Sequence, residues 1–498
     1  MENERGSNNN LPAIMVIFGG TGDLTSRKLM PALYNLVCEG LLPERFAIVS
    51  VGRQKKTDDQ YRAEVYEAIK RYSCNEVIEA NWHSLSESIY YVQLDFLNSG
   101  GYLSLQASLE IIDQRHKTCG NRIFYLAVAP EYFEIIVHGL HTNKLVDGSH
   151  GWQRLVIEKP FGRDLSSAKR LNNQLSQVFS EQNIYRIDHY LGKEMIQNIM
   201  VLRFCNSVFE SVWSNKYIDN IQILLSERAG IGSRGGYYET AGAMRDMVQN
   251  HILQTLSLVA MEPPVSLNPD AIRSEKLKVI QAIEPFEPDH IQENVIFGQY
   301  GEGSVDGALT KAYRAEDKVA EMSTTETFVA MKLHIQNFRW AGTPFYIRTG
   351  KRLGSNEGKI VIQFKPSPPI LYLRDKPVQE PNVLVIKIQP QVGVFFQFST
   401  KRFGASEDIV SATMDTSNDC HTNGNTPEAY ERLIVDILRG DTTLFSRWDE
   451  VEAAWGFVDK ITANCKQQAN EFPNYAAGSM GPVRALELVN RDGRKWWD

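Results

Sequence analysis

Cysteine is scarce in this chain, with six in 498 residues. Cys38, Cys74, Cys119, Cys205, Cys420 and Cys465 are scattered, without a CxxC pair or a Cys/His cluster at zinc spacing. That argues against a structural zinc site and fits a reducing compartment. No metal is expected. No apolar run approaches the ~20 residues of a membrane-spanning helix. Met1 to Asn10 is polar, lacks the apolar stretch of a signal peptide and reads as a disordered tail. An excess of positive charge is also missing: 53 Lys and Arg stand against 60 Asp and Glu, a net charge of −7. General attraction to nucleic acid or to an anionic membrane is therefore not expected, and any anionic ligand must be met by cations gathered locally. There is no G-K-[ST] of a P-loop, no internal repeat and no long low-complexity segment. What remains is a cytoplasmic globular protein, too long for one hydrophobic core, with two domains as the natural division.

The first third alternates strand and helix signals. Ala13 to Phe18 and Phe46 to Val51 are short apolar runs rich in β-branched residues. Ile123 to Val128 and Leu155 to Ile157 read as further strands, and Leu29 to Val37 has helical spacing. Buried strands alternating with helices predict an α/β domain built on parallel β-α-β units over 11–187. From 188 to 498 the pattern changes. Ile221–Ser226, Phe328–Ile335, Lys359–Phe364, Val383–Ile388 and Val394–Phe398 favour sheet without helical crossovers. They predict a larger α+β domain with a mostly antiparallel sheet. Val383 to Ile388 alternates only partly, so both faces are expected to be covered. Thr426-Pro427-Glu428 has the cap, early proline and early acid of a helix start, and Gly440 has the character of its stop.

Gly19-Gly20-Thr21-Gly22-Asp23-Leu24 follows the first strand and precedes a helix. Glycines there let the backbone approach a pyrophosphate, and the helix N-terminus adds free N–H groups. The pattern is not a clean G-x-G-x-x-G, since Thr25 stands at the third position; on its own it also suits an ordinary turn. The second strand ends in Gly52-Arg53-Gln54-Lys55-Lys56, with no acid for a ribose 2′-hydroxyl and three cations instead. That favours NADP over NAD, with NAD as a secondary acceptor, although a solvated basic turn looks the same.

Three further clusters carry chemistry. Glu158-Lys159-Pro160-Phe161-Gly162 follows a buried strand, which places Lys159 at a carboxyl end, where parallel sheets bind ligands. Asp188-His189-Tyr190-Leu191-Gly192-Lys193-Glu194 follows another strand. His189 and Lys193 lie four apart at the start of a helix, and with Tyr190 they offer donors suited to a phosphate monoester, or else an ordinary solvated helix start. His251 shares a helical face with Met247, Thr255 and Leu258, so it is a buried core histidine or a general base. In the second case it needs a carboxylate, which spacing does not identify.

In this order the segments resemble the glucose-6-phosphate dehydrogenase family. Arg186 to Glu194 matches its signature stretch at every position, Gly19 to Leu24 its G-x-x-G-D-L turn, and Glu158 to Gly162 its EKPFG motif. Asp246 to His251, Arg348-Thr349-Gly350-Lys351 and Ala429-Tyr430-Glu431-Arg432-Leu433 match later landmarks. The resemblance implies oxidation of glucose 6-phosphate at C1 with NADP⁺, by a homodimer or homotetramer assembled through the large domain's sheet. It implies His251 as general base and Asp188 as its carboxylate partner. His189, Tyr190 and Lys193 would take the substrate phosphate, and Lys159 would contact substrate beside the nicotinamide. Glu227, Asp246 and Lys351 would bind sugar hydroxyls, with Thr21, Arg53 and Gln54 around the adenosine 2′-phosphate. One position departs from the family. Where a second cation usually follows the RTGK lysine by five residues, this chain has Asn356, with Lys359 next. Asn356 then substitutes as a neutral donor, Lys359 reaches in, or the contact is absent. The full signature stretch separates the chain from other sugar oxidoreductases with an EKP-type lysine.

Overall fold

The computed structural model describes residues 11–148, 151–287, 290–368, 370, 380–404, 408–417, 429–463 and 465–498. The expected tail and the expected helix opening at Thr426 to Glu428 lie outside these. The helix itself is described over Ala429–Arg439, and Gly440 follows it with φ +78°, as its stop signal requires. The chain divides into two compact units. One comprises Met1–Lys193, Ser266–Arg273 and Asn425–Glu452; the other comprises Glu194–Val265, Ser274–Gly424 and Ala453–Asp498. The expected single boundary at 187/188 differs from this division in two ways: the first unit runs on to Lys193, and two later segments return to it. Among the described residues no helix is long and apolar enough to cross a membrane.

The first unit is built on six parallel strands: β1 (Ala13–Phe18), β2 (Phe46–Gly52), β3 (Ile89–Gln93), β4 (Arg122–Leu126), β5 (Gln153–Ile157) and β6 (Ile184–Arg186). Their spatial order is β3-β2-β1-β4-β5-β6, so the chain reverses direction across the sheet between β1 and β4. All six side chains of β1 are fully buried, at about 1.5–3 kcal/mol for each large apolar one. This is why the run shows no alternation. The helix Asp58–Tyr72 after β2 opens with a reciprocal cap: Gln60 N–H donates to Thr57 Oγ1 (3.2 Å) and Thr57 N–H to Gln60 Oε1 (3.0 Å). That cap holds the basic turn in place. The returning helix Ala429–Arg439 packs in the same core, where Leu433, Ile434 and Ile437 join residues of β1 and β2.

The second unit carries an eight-stranded mixed sheet: β7 (Ile218–Ser226), β8 (Val295–Gly298), β9 (Phe328–His334), β10 (Pro344–Gly350), β11 (Glu357–Phe364), β12 (Val383–Gln389), β13 (Gly393–Lys401) and β14 (Ile409–Asp415). Its order is β14-β13-β12-β11-β7-β10-β9-β8. Neighbours are antiparallel except β7 and β10, which are parallel with Ser226 opposite Gly350. Val383, Leu384, Val385, Ile386 and Ile388 of β12 are all buried, so both faces are covered as expected.

Candidate active site

The glycine turn after β1 is fixed by close approach of three strands. Gly19 has φ +89°, and a Cβ there would lie 2.2 Å from the Ala127 carbonyl oxygen beyond β4. A Cβ on Gly20 would lie 2.6 Å from Ser50 Cβ of β2. Only glycine fits at either position. Gly22 N–H closes the turn onto Gly19 O (2.9 Å), and buried Thr25 donates its hydroxyl to the same oxygen (2.9 Å). Thr25 thus stabilises the turn from the position where a third glycine was wanting. Thr21 and Asp23 are exposed on it, and Gly22 and Leu24 are half-buried. Thr21 Oγ1 lies 3.4 Å from where a Cβ of Gly52 would be, so the turn and the end of β2 adjoin.

Past β2, Arg53 and Gln54 are exposed, and their backbone oxygens are held by Gln93 (3.0 Å) and the Tyr91 hydroxyl (2.7 Å). Lys56 is tied to Glu64 (2.6 Å). Of the three expected cations, Arg53 and Lys55 are left facing solvent beside Thr21's turn. Glycines without room for a Cβ and uncommitted cations at the second strand end suit a dinucleotide with a phosphorylated ribose.

At the end of β5, Lys159 is half-buried. Its neighbour Glu158 accepts from the Tyr125 hydroxyl (2.6 Å) and the Tyr430 hydroxyl (3.3 Å). Burial raises the Glu158 carboxyl; the two phenols and Lys159 pull it back, while Asp188 pushes it up. This carboxylate was not singled out from sequence, because its partners lie 33 and 272 residues away.

Asp188 follows β6 and is 2% exposed, its Oδ1 accepting Tyr190 N–H (2.9 Å). Helix Glu194–Phe204 begins only after Lys193, so His189 and Lys193 do not share a helical face as expected. Tight turns bring them together instead, with Leu191 N–H on Asp188 O and Lys193 N–H on Tyr190 O, both 3.0 Å. Lys193 Nζ lies 3.8 Å from the Tyr190 ring centre, and the His189 ring lies edge-on at 5.1 Å. Gly192 is required here, since a Cβ would lie 2.7 Å from the Ala429 carbonyl oxygen. Arg186, in the same stretch, is a strut: it bonds Glu181 (2.6 Å), Asn172 (2.7 Å) and Ser446 O (3.3 Å) and is 2% exposed.

In the second unit, His251 and Asp246 lie on Met244–Ile252, a π-type segment continuous with helix Leu253–Ala260. Stretches with i→i+5 bonding are rare and concentrate at functional sites. His251 is 1% exposed and Asp246 4%; Met247, Thr255 and Leu258 are buried with His251, as the spacing predicts. Asp246 accepts from the Tyr237 hydroxyl (3.3 Å). At the ends of β7 and β10, Lys351 forms an ion pair with Glu227, and Lys351 Nζ stands 5.8 Å from the Tyr238 ring centre. Burial pushes the Tyr238 phenol well above its usual range, and Asp246, Glu326 and Glu227 add to that. The Glu227–Lys351 ion pair therefore stands beside Tyr238, a residue the sequence reading passed over, while Asp246 is held by the neighbouring Tyr237. Lys359 pairs with Glu357 (3.1 Å) and, with Asn356, lines a cavity of about 470 Å³.

A doubly wound parallel sheet with a glycine turn at β1, in a chain whose second unit carries a buried histidine and a Lys–Glu pair at strand ends, defines a nicotinamide-nucleotide oxidoreductase. Residues 16–198 match the family described as glucose-6-phosphate dehydrogenase, NAD binding domain, and residues 200–497 its C-terminal domain. The chain belongs to the glucose-6-phosphate dehydrogenase family. It is 47% identical over 486 residues to a Bacillus subtilis glucose-6-phosphate 1-dehydrogenase, covering 98% of each chain. It is 45% identical over 494 residues to the Chlamydia pneumoniae protein of that name, covering 97% of this chain and 96% of that one. A solved structure of glucose-6-phosphate dehydrogenase in complex with its substrate glucose-6-phosphate superposes with a TM-score of 0.88 at 33% identity, over 98% of this chain and 99% of that one.

Proposed function

We propose that this chain oxidises D-glucose 6-phosphate at C1 to 6-phospho-D-glucono-1,5-lactone with NADP⁺ as acceptor, the first step of the oxidative pentose phosphate pathway. The observation that carries this reading is the Glu227–Lys351 ion pair beside Tyr238, with Asp246, held by Tyr237, and buried His251 together on one helical segment. Glu227 and Asp246 accept from sugar hydroxyls and Lys351 donates to one. The cluster of His189, Tyr190 and Lys193 supplies a ring N–H, a hydroxyl and an ammonium, a donor set for a phosphate monoester. Gly19, Gly20, Thr21, Gly22, Asp23 and Leu24 form the dinucleotide turn, and Arg53 and Gln54 flank the 2′-phosphate. Lys159, beside Glu158 at the β5 end, contacts substrate and nicotinamide.

His251 takes the C1 hydroxyl proton as the C1–H bond breaks. Hydride leaves readily only from an alkoxide-like carbon, so base and acceptor act in one transition state, and a positioned base is worth about 10²–10⁴ in rate. Asp188 is assigned as the carboxylate that orients His251 and stabilises its imidazolium. Bound NADP⁺ supplies the hydride acceptor. The protein works in the cytoplasm as a homodimer or homotetramer.

The test is the rate of reduced-nicotinamide formation with glucose 6-phosphate, using NADP⁺ and NAD⁺ in turn and glucose and galactose 6-phosphate as controls. Rapid NADP⁺ reduction specific to glucose 6-phosphate is expected. No reduction by folded protein that binds NADP⁺ would replace this reading with a nucleotide-sensing role.

A further inference from the structure

The His251 helix is held at both ends by groups remote in sequence. At its C-terminal end the last carbonyls are filled by buried donors. Trp213 Nε1 donates to Val259 O (2.9 Å), Trp340 Nε1 to Ala260 O (2.8 Å) and Arg203 to Leu258 O (3.0 Å). Its N-terminal end starts at a break. Gly242 has φ +61° and ψ 178°, and the methyl of the local cap residue Ala243 accepts no hydrogen bond. Glu326 fills the place from 82 residues away: Met244 N–H donates to Glu326 Oε1 (3.1 Å). Ala243 N–H donates to the Glu326 backbone oxygen (3.0 Å). A Cβ on Gly242 would lie 2.3 Å from Glu326 Oε1, so glycine is what admits the carboxylate.

The residue after Glu326 holds a second part of the site. Thr327 O accepts Lys351 N–H (2.9 Å), and the Tyr475 hydroxyl bridges Thr327 Oγ1 and Lys351 O, 2.8 Å from each. Two adjacent residues therefore fix the start of the segment carrying Asp246 and His251 and the strand end carrying Lys351.

We propose that Glu326 is a positioning residue that sets the Asp246–His251 segment in register with Lys351. The inference rests on the roles proposed above for His251, Asp246 and Lys351. Glu326 touches none of the reacting atoms, and its effect passes through Met244. A displacement of the base segment of the order of 1 Å is enough to cost up to ~10² in rate.

The test compares Glu326→Ala, Glu326→Gln and Gly242→Ala with the parent, by steady-state kinetics and by hydrogen exchange of the Met244–Ile252 segment. Glu326→Ala is expected to lower kcat at least about tenfold and to raise KM for glucose 6-phosphate, with KM for NADP⁺ unchanged and faster exchange confined to the start of the segment. Glu326→Gln, whose amide oxygen still accepts from Met244, is expected to recover most of the loss. Gly242→Ala drives a methyl into the same carboxylate, so it should repeat the alanine pattern if Glu326→Ala does not fold. Parental kcat and exchange in Glu326→Ala would overturn the role, and so would equal impairment of the alanine and glutamine forms. Exchange is read whether or not turnover is found. An inactive, folded parent therefore sinks the functional reading separately, and an active parent indifferent to Glu326 sinks this inference alone.

Discussion

The helix Ala429–Arg439 braces the proposed phosphate-binding turn through Ala429 against Gly192, and Glu158 through Tyr430. Asp436 lies on its buried side, 2% exposed, with Arg432 Nε at 3.3 Å. Burial pushes the Asp436 carboxyl from 3.8 up to about 7, with Arg432 and Arg439 pulling it down and Asp441 pushing it up. Below pH ~4 the group is protonated in folded and unfolded chains alike and contributes no pH dependence. Between about pH 4 and 7 the unfolded chain ionises while the folded one holds its proton, so stability falls as pH rises. Above about pH 7 the whole penalty is present, up to about 4 kcal/mol for a displacement of this size. Asp436→Asn keeps the shape and an acceptor for Arg432 but never ionises. Relative to the parent it should be stabilised by about 2–4 kcal/mol near pH 8 and by almost nothing near pH 4. Urea unfolding of both proteins across that range measures the difference, in which the titrations common to both cancel. A difference that stays flat with pH, or that favours the parent increasingly as pH rises, refutes the reasoning.

The other predictions concern the site. His251→Asn should cut turnover by at least ~10² with little change in substrate affinity, which pre-steady-state and steady-state rates separate. Near-normal turnover removes His251 from the base role. Lys193→Ala should raise KM for glucose 6-phosphate about 10- to 100-fold, the value of a lost charge-assisted hydrogen bond, and should hardly affect unphosphorylated glucose. Equal losses on the two sugars contradict a phosphate contact. Arg53→Ala should raise KM for NADP⁺ about tenfold more than KM for NAD⁺, whereas equal losses contradict a 2′-phosphate contact.

What was legible in the sequence follows from what each segment buries. β1, β2 and β12 were plain because they are apolar on both faces. β3, β8, β10 and β14 were not recognised. Pro344-Phe-Tyr-Ile-Arg-Thr-Gly350 carries Arg348, which is fully buried and pairs with Asp498 from 150 residues on, and no local pattern anticipates that partner. Ile409–Asp415 is an edge strand paired on one side, and its mixture of half-exposed and exposed positions shows no apolar face. The site divides in the same way. Motif residues at strand ends were visible, whereas Tyr238, Glu158 and Glu326 are defined by partners far along the chain.

The one parallel pair among the described strands of the second sheet explains why its site forms where it does. Antiparallel neighbours alternate their ends, so the residue after one strand meets the residue before the next. Parallel neighbours end together. With Ser226 opposite Gly350, the chain leaves β7 and β10 at the same edge, and the next residues of each strand, Glu227 and Lys351, come side by side as an ion pair. Glu227 N–H bonds Gly350 O at 3.1 Å, carrying the ladder one step past the strands. The first sheet applies the same rule throughout, with Gly19, Arg53, Lys159 and Asp188 all at or just beyond carboxyl ends of parallel strands. In a sheet otherwise antiparallel, a single parallel pairing is enough to place an acid and a base next to each other, the arrangement proposed above to receive the sugar hydroxyls.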